Sequence, residues 1–357
     1  MSTVRDDAFY KSIPKVELHV HLDGAFQWKT LMAMAKERNI PMPDNEQDCL
    51  DQVSLSSPTK SLADFISKFD TGNNIMGGSS KGLQLASYDF CKASHEAGVL
   101  YSELKFSPAF CKHSEVAPDN VTLTYNEVMD AILTGIHRGE KEFGIRVNLI
   151  IVIMINMPET ANDLVDLALR YRDKGVVAMD IAGDELIPMD QRHISAIKRA
   201  KQSGLHITLH AGEAGPATNV ERAIEVLGAE RIGHGYRVLE DEKIYAMAKE
   251  KVHFEVCPCS SIYTGSNRLS DHALMRFSQD DVNFSINSDD PSIMRKTLID
   301  DYKMACNELR LNYKQIRKSV FNGVEATFLS DKEKTLLRDT VIKKFQELEA
   351  KYKIDDS

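Results

Sequence analysis

Histidines and acidic residues recur in short segments of this 357-residue chain, at spacings typical of ligands around a metal ion. The first segment, KVELHVHLDG at residues 15–24, alternates polar and apolar side chains with the period of a β-strand. Successive side chains of a strand point to opposite faces, so His19, His21 and Asp23 share one face near the strand's end. Two imidazoles at positions i and i+2 can bind one metal ion. An antiparallel strand with one face in water shows the same alternation.

Three further segments place polar side chains directly after an apolar run. LHITLHAGE contains His210 and Glu213, RIGHGYRV contains His234 between two glycines, and VNFSINSDDP ends near Asp289 and Asp290. Three histidines and one aspartate form a ligand set that suits Zn²⁺ better than Fe²⁺ or Mn²⁺. Glu213 is then available for proton transfer, and His234 with Asp290 can orient or deprotonate water.

The remaining histidines and the cysteines do not share this setting. The six cysteines are scattered, which predicts reduced thiols, and the pair Cys257 and Cys259 has no partner pair at the spacing of a structural zinc site. We interpret the other histidines as surface or packing residues, or as residues at strand beginnings: His95, His113, His137, His193, His206, His253 and His272.

Eight strand-like segments alternate with helical patterns, which predicts an α/β fold with a parallel sheet. Eight is the number of strands that closes a (β/α)₈ TIM barrel, whose active site lies at the C-terminal ends of the strands. The histidine and acidic segments lie at four such ends. The predicted strands are 15–22, 99–106, 147–155, 176–182, 205–211, 230–234, 252–257 and 282–288.

The chain is longer than the about 250 residues of a typical barrel of this kind, which indicates additions. We predict an insertion after the first strand at 25–80, with an amphipathic helix at 61–70 and an irregular stretch at 41–60. A charged, mostly solvated helical tail is predicted at 300–353. No repeat or linker interrupts the pattern, so we predict a single domain over 1–357.

Composition excludes several classes of protein. The formal net charge of −9 disfavours a nucleic-acid binder, because neutralising phosphates requires an excess of lysine and arginine. The longest apolar run, 149–155, is far shorter than the ~20 residues that span a bilayer. The N-terminal segment lacks the apolar core of a signal peptide. We therefore expect a cytoplasmic protein with no nucleic-acid or membrane partner, and we favour a monomer.

Seven motifs, in order along almost the whole chain, resemble those of the adenosine deaminase family of the amidohydrolase superfamily. They are KVELHVHLDG, FSPAF, MDIAGDE, LHAGE, GHGY, CPCSS and NSDDP. The resemblance implies one Zn²⁺ per chain, held by four side chains, namely His19, His21, His210 and Asp289.

The resemblance also implies a reaction and a purine nucleoside substrate. Adenosine, and 2′-deoxyadenosine, would be hydrolysed to inosine and ammonia in purine salvage. Glu213 would protonate purine N1, while His234 and Asp290 would activate and position the attacking water. The substrate contacts implied are those of His21 and Asp290, of Asp23 with the ribose 5′-hydroxyl, and of the Gly183 amide with purine N3.

Two segments bear on the surroundings of that site. SLADFISKFD carries an apolar stripe where the family has a lid over the pocket: Leu62, Phe65, Ile66 and Phe69. LKFSP at 104–108 replaces the family's more usual VRYSP. We expect this difference and the irregular stretch at 41–60 to affect the ribose side and the lid, and to leave the metal chemistry unchanged.

Other deaminases and hydrolases match less well. Binuclear amidohydrolases need a lysine at the end of the fourth strand, and VVAMDIAGDE has none. Cytidine-type zinc deaminases use an H-x-E motif together with a P-C-x-x-C motif. Residues 113–115 match the first motif, but residues 258–262 do not match the second. The alternatives within the family are an adenine or N6-methyl-AMP deaminase and a non-catalytic growth-factor-like member. HLDG favours the nucleoside, because the short Asp23 leaves room for ribose and its charge opposes a phosphate.

Overall fold

The computed structural model describes residues 6–43 and 45–354 and contains eight parallel strands, each paired with its neighbour in sequence. Residues 1–5, 44 and 355–357, which the predicted domain includes, lie outside the described part. The strands are β1 Lys15–His21, β2 Val99–Phe106, β3 Arg146–Met154, β4 Val176–Ala182, β5 His206–Ala211, β6 Arg231–His234, β7 His253–Val256 and β8 Phe284–Ile286.

The sheet closes into a barrel where the first strand meets the segment that follows the last. The backbone N–H of His21 donates to the Asp289 carbonyl at 2.9 Å, and the Asp289 N–H donates to the His19 carbonyl at 3.0 Å. Val20 and Asp289 form the corresponding parallel bridge. The predicted (β/α)₈ barrel is confirmed, and its closure passes through residues of the candidate metal site.

Helices follow the strands and surround the barrel. The helix Tyr125–Phe143 begins with the capping box that its sequence indicates: Thr124 Oγ1 accepts from the Glu127 N–H at 3.2 Å, and Glu127 Oε2 accepts from the Thr124 N–H at 2.7 Å. No helix within the described ranges is long and apolar enough to cross a membrane. The helices are α1 Asp7–Ser12, α2 Trp28–Glu37, α3 Glu46–Val53, α4 Leu62–Ile66, α5 Phe69–Met76, α6 Ser80–Glu96, α7 Pro108–Cys111, α8 Tyr125–Phe143, α9 Ala161–Tyr171, α10 Gln191–Gln202, α11 Ala217–Glu225, α12 Glu242–Lys251, α13 Pro258–Tyr263, α14 Ala273–Gln279, α15 Leu298–Asn307, α16 Tyr313–Ala326 and α17 Asp331–Tyr352.

Two predictions for the insertion were wrong. The helix expected at 61–70 is two helices, because α4 ends at Ile66 and α5 begins at Phe69. At the break, the Ser67 hydroxyl donates to the Asp64 carbonyl at 2.7 Å and so competes with the helical hydrogen bonds. The stretch 41–60, expected to be irregular, contains α3, which Asn45 caps by accepting from a backbone N–H.

The C-terminal tail is helical as predicted, but it is not mostly solvated. α16 packs against β1 and β8, and α17 packs against α16. In α17, Val341, Phe345 and Leu348 are buried at spacings of four and three residues, which place them on one face of a helix. The long charged sequence hides this stripe, because polar residues fill the other faces.

The last strand is shorter than predicted. β8 spans three residues, whereas alternation predicted a strand over 282–288. Beyond Ile286 the chain turns into the barrel mouth, and Asp289 adopts a left-handed conformation with φ of 62°. The alternating sequence pattern therefore extends beyond the last residue of β8 that pairs with β7.

Candidate active site

Four predicted ligands converge at the C-terminal ends of the strands. The Nε2 atom of His21 lies 3.3 Å from Nε2 of His19 and 3.2 Å from Nε2 of His210. Asp289 Oδ1 lies 3.2 Å from His19 Nε2 and 3.5 Å from His21 Nε2. One donor atom from each of the four residues lies within 4.8 Å of all the others, so the cluster can hold one metal ion.

The protonation of the cluster suits a cation. Burial lowers the pKa of His21 well below its usual value and also lowers the pKa of His210, which favours neutral imidazoles. Burial and Lys105 act to lower the pKa of His19 as well, but Asp289 and Glu255 outweigh them and raise it, so this ring must lose a proton before it binds a metal. Burial alone would raise the pKa of Asp289, but the neighbouring His234 and His19 hold it well below its usual range. Neutral imidazoles and an ionised carboxylate are the forms that bind metals.

The backbone conformation of two residues and a glycine beside the His19 ring make room for the cluster. His234 and Asp289 both have positive φ, 66° and 62°, a strained conformation that is found at functional sites more often than elsewhere. Gly233 lies against the His19 ring, where a Cβ atom would approach Cε1 to 2.7 Å. A glycine is therefore required beside the imidazole.

Two carboxylates that the sequence analysis did not identify lie behind the histidines. Glu255 Oε2 lies 2.7 Å from Nδ1 of His19, and Asp180 Oδ2 lies 2.9 Å from Nδ1 of His210. The contact at His19 is a hydrogen bond that fixes the tautomer whose Nε2 carries a free lone pair, as in many metal sites, whereas Nδ1 of His210 lies close to Asp180 without the alignment of a hydrogen bond. The signal was present, since both acids lie within predicted strands that end at the barrel mouth.

The LKFSP segment was expected to affect the ribose side and the lid, and its Ser107 does line the cavity described below. Lys105 does not lie on the ribose side or in the lid, because it is fully buried inside the barrel between Asp180 and Glu255. It contacts the two carboxylates that face the candidate ligands His19 and His210. Alternating polar residues in β2 gave the same period-two signal as β1, with Tyr101, Glu103 and Lys105 all buried.

His234 adjoins the cluster and is held by a tyrosine. Its Nε2 lies 3.7 Å from both Glu213 Oε2 and Asp289 Oδ2. Its Nδ1 lies 3.4 Å from the Tyr236 hydroxyl, which donates its single hydrogen to the Cys257 carbonyl at 3.1 Å. The hydroxyl can therefore only accept from Nδ1, which assigns the proton to Nδ1 and leaves Nε2 free to accept one.

Glu213 is a buried acid on the loop between β5 and α11. Burial, followed by the charges of Asp289 and Glu185, raises the pKa of Glu213 to about 8, so the carboxyl group is mostly protonated at neutral pH. The Ser266 hydroxyl donates to its Oε1 at 3.3 Å. Glu213 precedes the first residue of α11 by four positions, so it lies outside the first turn of that helix.

Asp290 is buried, and its Oδ1 has no hydrogen-bond partner among the described residues. Its carboxyl group packs against Gly24, where a Cβ atom would collide with it. The other oxygen of the neighbouring Asp289, Oδ2, accepts from the Ser260 hydroxyl at 2.7 Å. Asp290 lines the cavity described next, so this oxygen is free to accept a hydrogen bond from water or a ligand.

These groups face a cavity of about 340 Å³, a volume suited to a small molecule. Asp23 and Gly183 line it, and Gly183 has a φ of 119° that favours glycine. None of the described residues that line it is lysine or arginine. All four residues of the predicted lid stripe line it as well, namely Leu62, Phe65, Ile66 and Phe69.

The cysteine pair does not form a metal-binding unit. Cys257 lies near His234 and Asp289, but burial raises the pKa of its thiol well above the usual value, which favours the protonated form. Cys259 belongs to an apolar cluster with Phe65, and its backbone N–H donates to Asp301 at 2.8 Å.

A (β/α)₈ barrel with three histidines and an aspartate at its C-terminal face is typical of hydrolases that use a bound metal ion. The sequence model of the family described as adenosine deaminase matches residues 14–344. The chain is 37% identical to the adenosine deaminase of Rattus norvegicus over 343 residues, which are 93% of this chain and 97% of that protein. The chain therefore belongs to the adenosine deaminase family.

Solved structures share the fold. An amidohydrolase from Burkholderia ambifaria, crystallised with bound Zn, has a TM-score of 0.88 at 22% identity, covering 99% of this chain and 96% of that chain. An N6-methyl-AMP deaminase from Arabidopsis thaliana has a TM-score of 0.81 at 25% identity, covering 95% of this chain and 98% of that chain.

Proposed function

We propose that this protein is a zinc-dependent enzyme that hydrolyses adenosine, and 2′-deoxyadenosine, to inosine and ammonia. The observation that carries the proposal is the position of Glu213, whose protonated carboxyl group lines the same cavity as His21, His210 and Asp289. An acid that keeps its proton at neutral pH can protonate a ring nitrogen while water attacks the adjacent carbon. Membership of the adenosine deaminase family supports the same reaction.

One Zn²⁺ would be held by the converging Nε2 atoms of His19, His21 and His210 and by Asp289. When bound, the ion supplies a Lewis acid that lowers the pKa of water toward ~7. A second cation is disfavoured, because the Lys105 ammonium lies between the carboxylates deeper in the barrel.

Proton transfer would be shared between His234 and Glu213, whose Nε2 and Oε2 atoms lie 3.7 Å apart. His234 accepts a proton from the attacking water at Nε2, which its contact with Tyr236 leaves free. Asp290 orients the water or the substrate through its unpaired Oδ1. Glu213 donates a proton to purine N1 as oxygen bonds to C6. His234 then passes the proton that it took from water to the 6-amino group, which leaves as ammonia, and the remaining hydroxyl proton returns to Glu213 as the C6 carbonyl forms.

The cavity lining favours a nucleoside over a nucleotide. Asp23, Asp70 and Asp184 line the cavity, and no lysine or arginine of the described chain joins them. A phosphate would face these acids without a counter-ion, which opposes an N6-methyl-AMP substrate. Asp23 would bind the ribose 5′-hydroxyl, and the Gly183 amide would face purine N3.

The non-catalytic alternative is disfavoured, because every proposed metal ligand and both proton-transfer residues are present and close together. We further propose that the enzyme acts as a monomer in the cytoplasm, and that the whole chain forms one catalytic domain.

The test is metal dependence of adenosine turnover. Protein stripped by a chelator should be inactive, and reloading with about one equivalent of Zn²⁺ should restore the loss of absorbance near the adenosine maximum. His210→Ala should lose zinc and activity together, whereas His137→Ala, which changes an exposed histidine, should lose neither. Turnover that survives metal removal, or two tightly held ions per chain, would contradict the proposal.

A further inference from the structure

Lys105 is completely buried on β2 and does not line the cavity. Its ammonium donates to Asp180 Oδ2 at 2.7 Å and to Glu255 Oε2 at 2.9 Å. These are the same two oxygens that face the predicted ligands, at 2.7 Å from Nδ1 of His19 and 2.9 Å from Nδ1 of His210. One ammonium therefore bridges two carboxylate–histidine pairs.

In this arrangement the charges of the three buried groups compensate one another. Two carboxylates buried side by side repel each other, and a buried ammonium is costly unless anions pair with it. Lys105 between Asp180 and Glu255 satisfies both requirements at once. Its two hydrogen bonds also fix the positions of the two carboxylate oxygens, and these oxygens orient the rings of His19 and His210.

The two carboxylates do not depend on Lys105 equally. Glu255 has a second cation, because Arg231 Nε donates to its Oε1 at 2.7 Å, and the Thr208 hydroxyl donates to the same atom at 2.8 Å. Within the described chain, Lys105 is the only lysine or arginine in contact with Asp180. The other oxygen of Asp180 accepts from the backbone N–H of His210 at 3.1 Å.

We infer that Lys105 is a positioning residue of the metal site, which acts mainly through Asp180 to hold the His210 ring with its Nε2 toward the ion. This inference rests on the proposed zinc site. It assigns the lysine of LKFSP a role in metal affinity, at a position that contacts neither substrate nor metal. The same geometry predicts that removing Asp180 and removing Lys105 have effects that are not additive.

The experiment measures the zinc dissociation constant by competition with a colorimetric chelator. Lys105→Met should weaken zinc binding by about 10- to 100-fold, the range found for outer-shell partners of metal ligands. Lys105→Arg keeps the charge and should recover most of that loss. In an Asp180→Asn background, Lys105→Met should weaken binding by less than about threefold, since the path through Asp180 is already broken.

Lys15 provides the matched control. It is also fully buried, at the start of β1, but its ammonium donates to the carbonyls of Tyr10 and Ile13, outside the metal cluster. Lys15→Met should lower the melting temperature and leave zinc affinity within about twofold. Comparing Lys15→Met with Lys105→Met thereby separates the effect of losing a buried ammonium from the effect of losing support for the metal site.

The outcomes distinguish the inference from the proposed function. If the unmodified protein binds no zinc, the proposed site is wrong. If it binds zinc and Lys105→Met binds equally well, or if the losses from Lys105→Met and Asp180→Asn add fully, the inference is overturned. If Lys105→Met does not fold, the double variant Lys105→Met with Asp180→Asn, which removes one charge of each sign, is compared with Asp180→Asn alone. A further tenfold loss of zinc affinity in the double variant overturns the inference.

Discussion

Glu185 Oε2 accepts a hydrogen bond from the backbone N–H of Glu213 at 2.9 Å, so one acid holds the loop that carries another. The same oxygen accepts from the N–H groups of Ala214 at 2.9 Å and Gly215 at 2.8 Å, and Oε1 accepts from Gly212 at 2.5 Å. Four backbone donors thus converge on one carboxylate. Its charge also helps to raise the pKa of Glu213.

Glu185→Gln should therefore impair catalysis without a contact to substrate. An amide has one acceptor oxygen where the carboxylate has two, so some of the four N–H groups lose their partner and the loop shifts. We expect kcat to fall by roughly tenfold or more, because small displacements of catalytic groups are costly. The pKa of Glu213 should also fall, so the decline of kcat at alkaline pH should begin at lower pH.

The control for this variant is Glu140→Gln. Glu140 also accepts a backbone hydrogen bond, from the Val147 N–H at 2.9 Å, but it lies outside the cavity. It should lose some stability and keep the pH profile of the unmodified enzyme. A pH profile of Glu185→Gln that matches the unmodified one would contradict a role in supporting Glu213.

Glu213→Gln tests the proton donor itself. Glutamine preserves size and hydrogen bonding but has no transferable proton, so kcat should fall by ~10²–10⁴-fold. Zinc content and melting temperature should stay nearly unchanged. If zinc content falls as well, Glu213 is a ligand, and if only stability falls, it has a structural role.

The pH dependence of the unmodified enzyme follows from the same residue. Glu213 is active in its protonated form, and its pKa is about 8. As pH rises through this value the acid is lost, so kcat should decline above about pH 8. A kcat that is constant from pH 7 to pH 9.5 would remove Glu213 from the step that limits turnover.

Asp23→Ala tests the ribose contact. A lost charge-assisted hydrogen bond is worth roughly 1.5–3 kcal/mol, so KM for adenosine should rise about tenfold or more. KM for 5′-deoxyadenosine, which lacks the hydroxyl partner, should change little. Equal effects on both substrates would show that Asp23 acts elsewhere in the cavity.

His253, at the N-terminal end of β7, is predicted to make the fold sensitive to acid. Burial lowers its pKa from 6.5 to about 4, so the unfolded chain binds a proton that the folded chain does not. The stabilising contribution is complete above pH 6.5 and is lost as pH falls toward 4, by about 1.4 kcal/mol per pH unit. His253→Gln should unfold in urea with a weaker pH dependence between pH 6.5 and 4.5. Identical pH dependence in both proteins would contradict this assignment.

The candidate metal ligands were predictable from sequence because each lies at or just after the end of a period-two segment. Parallel strands bring such ends together, so His19, His210 and Asp289 meet although they are far apart in the chain. The supporting residues were missed because their partners are distant in sequence: Lys105 is 75 residues from Asp180 and 150 from Glu255. No local pattern specifies those pairs.

The helix boundaries in the insertion and the burial of the C-terminal tail were not predicted, for a different reason. The break after Ile66 depends on a side-chain hydrogen bond of Ser67, and the apolar stripe of α17 is narrow within a charged helix. Local propensity does not determine either feature, because packing against the rest of the barrel decides which helix faces become buried.

The central claim is that the cavity takes adenosine and removes its 6-amino group. The most direct measurement is kcat/KM of zinc-loaded protein for adenosine, adenine and N6-methyl-AMP, with one preparation and one ammonia-release assay. Because Asp23 leaves room for ribose and no cation of the described chain lines the cavity, adenosine should exceed both others by at least about a hundredfold. A preference for N6-methyl-AMP or adenine, or no ammonia release from any of the three, would contradict the account.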